Sequence, residues 1–211
     1  MEDLSQIEHT VLGPTTTWSD VAETLDTALQ YGMRACIPPC YVEQGREYAP
    51  TVGLVTVVGF PHGQHTTESK CIEAEQAWKN GVDEIDVVCN LGSLFSGDDE
   101  DVQQELEEVV ASVPIPVKVI VESHLLEEAQ LRRVCEAVAG AEAAFVKTST
   151  GFSDGGATVE DVAVMSEYLP VKASGGIGSW TFAEELLEAG AERIGASSGD
   201  AIAREYQDQQ K

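Results

Sequence analysis

Apolar residues in this chain gather into short runs rich in β-branched side chains, and each run leads into a longer stretch whose apolar positions recur at helical spacing. Eight runs stand out: IEHTVL from residue 7, MRACIP from 33, GLVTVVGF from 53, EIDVVCN from 84, PVKVIVES from 116, AAFVKTS from 143, PVKASGG from 170 and RIGASSG from 193. Between the first two, WSDVAETLDTALQYG places Val21, Leu25, Ala28 and Leu29 at helical spacing behind a Thr17 or Ser19 cap. TTESKCIEAEQAWKNG and TFAEELLEAG close on glycine, which ends helices readily. DDEDVQQELEEVVASV opens with acids at the positive end of the helix dipole.

Eight strand–helix units of about 26 residues each predict a compact (β/α)8 barrel of the TIM type, a single domain over residues 1–211. The alternative, an open doubly wound sheet, calls for a GxGxxG turn after its first strand, and no run is followed by one. In a barrel the chemistry belongs at the C-terminal ends of the strands.

Composition narrows the partners. Against 12 Lys plus Arg stand 37 Asp plus Glu, a formal net charge of −25 that repels nucleic acid and anionic membranes. Such an excess with only six lysines fits a protein of a salt-adapted host, where self-repulsion is screened. Five cysteines without a CxxC pair fit a reduced compartment, the start MEDLSQIEHT has no secretory pattern, and no apolar run reaches membrane-spanning length. A cytoplasmic protein with no membrane or nucleic-acid partner is expected.

Three of the six lysines, Lys118, Lys147 and Lys172, lie in the fifth, sixth and seventh strand runs, which are neighbours in a barrel. Lys70, Lys79 and Lys211 fall on helices or the tail and are expected on the solvated surface. A buried lysine beside a second ammonium group loses proton affinity, and the neutral amine attacks carbonyls to form a Schiff base. Asp86, flanked by Ile85 and Val87, is expected to be buried against a strand lysine, either as a structural ion pair or as a proton carrier, whereas Asp83 and Glu84 are expected at the surface. The glycine-rich turns STGF, SGGIG and GASSG, after the last three runs, offer backbone amides and the Ser197 and Ser198 hydroxyls to an anion such as phosphate.

TVVGFPHGQHTTESK, DEIDVVCNLGSLFSGD, VKVIVESHLL, FVKTSTGFSDGGATVEDVAVM, VKASGGI and AGAERIGASSG together resemble the deoxyribose-phosphate aldolase family, class I aldolases of deoxynucleoside catabolism, over nearly the whole chain. The resemblance implies reversible cleavage of 2-deoxy-D-ribose 5-phosphate to glyceraldehyde 3-phosphate and acetaldehyde, with no metal or organic cofactor. It implies Lys147 as the Schiff-base lysine, Lys172 as its pKa-lowering neighbour and Asp86 as the proton relay. It places Glu8 and Thr10 at substrate hydroxyls, and Gly151, Gly175, Gly176, Gly195, Ser197 and Ser198 at the phosphate. By analogy with the family, a homodimer is implied as well.

Three positions depart from the family pattern. Glu8 stands where an aspartate is usual, Gly13 where a lysine is frequent, and Gly178 where a basic residue is common in the phosphate loop. Cys36 reads either as a packed thiol or as the cysteine many members carry in the site. Cys36 and Cys40 with His62 and His65 match no familiar zinc spacing. Two other functions share these features: an aldolase for a different phosphorylated aldehyde, and a noncatalytic phosphosugar-binding barrel.

Overall fold

The eight predicted runs form eight parallel strands that close into one barrel in chain order, in the computed structural model, which describes residues 4–210. They are β1 (Ile7–Thr10), β2 (Arg34–Cys36), β3 (Leu54–Val58), β4 (Glu84–Val88), β5 (Val117–Ile120), β6 (Phe145–Lys147), β7 (Val171–Ser174) and β8 (Ala191–Ala196). The returns carry α1 (Trp18–Tyr31), α2 (Val42–Tyr48), α3 (Thr67–Lys79), α4 (Leu91–Ser96), α5 (Asp99–Ala111), α6 (Glu128–Gly140), α7 (Val159–Met165) and α8 (Trp180–Glu188), and α9 (Gly199–Gln209) follows the last strand. Closure pairs β1 with β8, which removes both sheet edges and excludes the open-sheet alternative.

Strand side chains alternate between two environments. Outward-facing residues such as Ile85, Val87, Val119 and Val146 join one large apolar layer shared with the helices. A second, separate cluster holds Cys36, Val55 and Val57. An ionic group shares the interior with them: Glu8, Asp86, Lys118, Lys147 and Lys172 are all buried.

Thr17 rather than Ser19 caps α1, in a capping box with Asp20. Val21, Leu25 and Ala28 are buried together with Thr24, whereas Leu29 is 46% exposed. Lys70 corrects a second expectation. Instead of facing water it is fully buried on α3, where its Nζ donates to Val88 O at 2.9 Å and pairs with Glu105 Oε1 at 2.7 Å. The carboxylate comes from α5, a neighbour that local helical spacing does not reveal. Lys79, on the same helix, is exposed as expected and pairs with Glu75 at 2.8 Å. Lys211 lies outside the described residues.

Candidate active site

Parallel pairing sets Asp86 beside Lys118 across β4 and β5, and Lys147 beside Lys172 across β6 and β7. Because the barrel is narrow, their side chains meet at its axis. Lys147 Nζ donates to Asp86 Oδ2 at 2.8 Å, Lys172 Nζ to the same oxygen at 2.6 Å, and Lys118 Nζ to Asp86 Oδ1 at 3.1 Å. Lys172 also pairs with Glu8 Oε2, and Lys118 with Glu8 Oε1 at 3.6 Å and Glu84 Oε2 at 2.6 Å. Three carboxylates therefore face three amines, with Arg34 adding a contact to Glu84 at 3.0 Å. Glu84 is buried at 7% exposure, not at the surface as its place before the strand's apolar core suggested; its cationic partners arrive from β2 and β5.

The network divides its protons unequally. Burial lowers the Lys147 amine below the ordinary lysine range; Asp86 opposes that, and the charge of Lys172 reinforces it. Burial also works against the charge on Lys172, but Asp86 and Glu8 outweigh it and hold its pKa above the usual value. Lys118 is raised too, with burial overcome by Asp86 and Glu8. Against the cost of burial, Lys118, Lys147 and Lys172 hold Asp86 well below the usual carboxylate range, and Lys172 and Lys118 lower Glu8. Lys147 is thus the amine in this cluster that gives up its proton most readily, while Lys118 and Lys172 stand behind it as cations at rest and Asp86 and Glu8 as anions.

Lys147 reaches the floor of a cavity of about 460 Å³ at the C-terminal ends of the strands. Thr10, from β1, lines one wall. The turn after β6 contributes Gly151, that after β7 Gly175 and Gly176, and β8 with its turn Gly195, Ser197 and Ser198. Gly151, Gly175 and Gly176 adopt positive φ of 84°, 93° and 76°, which side chains disfavour, so these turns keep their backbone close to the cavity. Ser198 precedes α9, whose first amides have no partner within the helix and suit an anion. Lys147 is the one charged residue lining this cavity among the described residues. An anion at the far wall would therefore meet hydroxyls and backbone amides, not a basic side chain; Gly178 is part of that wall.

Of the residues singled out in the sequence, Lys147, Thr10, Gly13, Gly178 and the six residues expected at the phosphate share the cavity. Glu8, expected at a substrate hydroxyl, lies beneath it: its carboxylate is fully buried and engaged by Lys172. Its extra methylene, compared with aspartate, gives it that reach across the interior. Asp86 and Lys172 occupy the same layer below Lys147. Cys36 is buried beside Val55 and Val57, and burial pushes its thiol up to about 11, so it is no thiolate at neutral pH. Cys40, His62 and His65 are exposed and do not join it. Leu12, Phe152 and Ile177 supply apolar lining that the sequence did not single out. Glu122 was passed over as well, although a charge directly after the apolar run VKVIV is the same signal that marks Lys147.

Comparison with known proteins shows the family. Residues 9–206 match the model of the DeoC/LacD family aldolases. A deoxyribose-phosphate aldolase of Haloarcula marismortui is 62% identical over 208 residues, covering 98% of this chain and 90% of its own. One from Natronomonas pharaonis is 60% identical, covering 94% of this chain and 92% of its own. Among solved structures, an aldolase called QR15 superposes with a TM-score of 0.95 at 35% identity, covering 100% of this chain and 98% of its own. A tetrameric deoxyribose phosphate aldolase from Aeropyrum pernix gives a TM-score of 0.89 at 33% identity, covering 98% of this chain and 92% of its own.

Proposed function

Because this chain belongs to the DeoC/LacD family of aldolases, we infer that Lys147 is the amine through which it performs a class I aldol reaction. The protein is a deoxyribose-phosphate aldolase, a carbon–carbon lyase that reversibly cleaves 2-deoxy-D-ribose 5-phosphate to D-glyceraldehyde 3-phosphate and acetaldehyde. The observation that carries the role of Lys147 is its unequal standing beside Lys172: it lines the cavity with a lowered pKa, whereas its neighbour is held protonated.

The neutral Lys147 amine attacks C1 of the open-chain sugar, and loss of water leaves an iminium ion. A base removes the C3 hydroxyl proton, C3 becomes an aldehyde, and the C2–C3 bonding pair moves into the iminium to form an enamine. Protonation at C2 and hydrolysis then release acetaldehyde and restore the amine. The iminium is the electron sink, so this chemistry calls for no metal or organic cofactor. Asp86 and Lys172 are the proton carriers, acting through water; their contacts of 2.8 and 2.6 Å within one layer support that role.

Thr10 orients the sugar, and Gly151, Gly175, Gly176, Gly195, Ser197 and Ser198 hold the phosphate. Glu8 acts one step back, by keeping Lys172 charged. The acid-rich surface fits a salt-adapted protein, as do relatives from Haloarcula marismortui and Natronomonas pharaonis. We further propose one domain over the whole chain, a homodimer in solution and a cytoplasmic location; no helix among the described residues is long and apolar enough to cross a membrane.

Borohydride reduction in the presence of acetaldehyde, followed by peptide mass mapping, tests the assignment. A reduced two-carbon adduct is expected on Lys147 and absent from Lys147→Ala. An adduct on Lys118 or Lys172 instead would transfer the nucleophile's role, and no adduct at all would favour a noncatalytic barrel.

A further inference from the structure

Glu122 closes the extended run after β5 in the left-handed region, with φ 48°, a conformation glutamate rarely adopts. It is 5% exposed, and both its carboxylate oxygens bond one neighbouring segment, with Oε2 also 3.5 Å from His124 Nδ1. Oε1 accepts the Thr150 N–H at 2.6 Å, and Oε2 accepts the Ser153 hydroxyl at 2.6 Å. Thr150 Oγ1 in turn accepts the Phe152 N–H at 3.1 Å. The residues so tied, 150–153, include Gly151 and Phe152, which line the substrate cavity four and five positions beyond Lys147. The next residues of Glu122's own chain brace the same segment: the Ser123 N–H donates to Thr148 O at 2.9 Å, and a Cβ on Gly155 would lie 2.3 Å from the His124 ring.

We propose that Glu122 is a positioning residue for phosphate recognition: its carboxylate holds the turn after β6 at the distance from which Gly151 meets the substrate's phosphate. This rests on the aldolase reading and extends it to a side chain that touches neither substrate nor the reacting atoms. Short hydrogen bonds to an ionised acceptor are the strong ones, and spending two of them, plus a strained backbone, on a turn concentrates rigidity where a ligand must be met. The Lys147 amine takes no part in this clamp: Asp86 holds it, although the Lys147 carbonyl accepts the Val121 N–H at 3.0 Å beside Glu122.

Glu122→Ala, Glu122→Gln and Ser153→Ala separate the possibilities. In Glu122→Ala, KM for 2-deoxyribose 5-phosphate is expected to rise by about tenfold or more, the scale that misplacement of a binding group produces, with a smaller change in kcat. KM for unphosphorylated 2-deoxyribose should stay within about twofold, because the lost contact concerns the phosphate. Glutamine keeps an acceptor for Thr150 and a donor for Ser153, so Glu122→Gln should recover most of the loss, and Ser153→Ala should show a weaker form of it. Should Glu122→Ala fail to fold, the other two variants carry the comparison. Equal effects on both sugars, or none on either, would overturn the clamp while wild-type borohydride trapping at Lys147 still upheld the aldolase. Loss of trapping in the wild type would overturn the aldolase reading, and the clamp with it.

Discussion

Lys147 and Lys172 stand opposite each other in the register of β6 and β7, and both amines reach one oxygen, Asp86 Oδ2, at 2.8 and 2.6 Å. One carboxylate oxygen shared in this way does not compensate two buried ammonium groups equally. Glu8 breaks the tie by engaging Lys172 alone of the two, so Lys172 holds its proton more firmly than Lys147 does. The reactive state of Lys147 is thus set by the partner its neighbour has and it lacks.

Lys172→Met removes the cation that helps depress Lys147. The pKa of Lys147 should rise, and the ascending limb of the kcat/KM profile, which follows loss of the Lys147 proton, should move to higher pH along with it. The rate near neutrality should fall by about 100-fold, in the range usual for a lost proton carrier. Borohydride trapping measured against pH gives the same shift without depending on turnover. A profile that loses height but does not move would make Lys172 a structural residue only.

Asp86→Asn leaves three buried amines facing a neutral amide and should destabilise the fold by about 3–5 kcal/mol, the usual consequence of breaking a buried ion pair from one side. Its pH dependence has a definite sign. The folded pKa values of Asp86 and Glu8 are depressed, so their contribution is complete above the ordinary carboxylate range and disappears as pH falls through the folded values. Urea unfolding of the wild type between neutral and acid pH should show that decline. In Asp86→Asn the decline should be shallower.

Two lysines on one helix should behave oppositely. Lys70→Met strands the carboxylate of Glu105 and the Val88 carbonyl inside the protein and should cost about 3 kcal/mol or more. Lys79→Met, on the exposed side, should stay within about 0.5 kcal/mol. Thermal melts of the two variants decide it; equal losses would mean that the Lys70 pair is solvated.

Salt should stabilise this protein. With 37 acids against 12 bases, its surface repels itself at low ionic strength, and the Debye length shrinks to about 3 Å in 1 M KCl. The melting midpoint should climb from dilute buffer to that concentration, and KM for the phosphosugar should increase over the same range. A midpoint that is flat or falls would show that the acids are dispersed without strain.

Much of this protein is determined by local pattern alone. A strand's period of two and a helix's of 3.6 depend on residues a few positions apart, so eight strand–helix units, and the barrel they build, follow from the chain read in order. Lys147 and Asp86 are legible for a similar reason: a charge inside or directly after an apolar run has to be buried and partnered. The identity of the partners is another matter. Lys70 meets Glu105 35 positions away, Lys118 meets Asp86 32 away, and Lys172 meets Glu8 164 away. Desolvation and Coulomb attraction act through space, and the distances that govern them exist only once β1 has closed against β8. Tertiary structure therefore decided that Glu8 lies beneath the cavity, not within it, that Lys70 is buried, and which of two adjacent lysines gives up its proton.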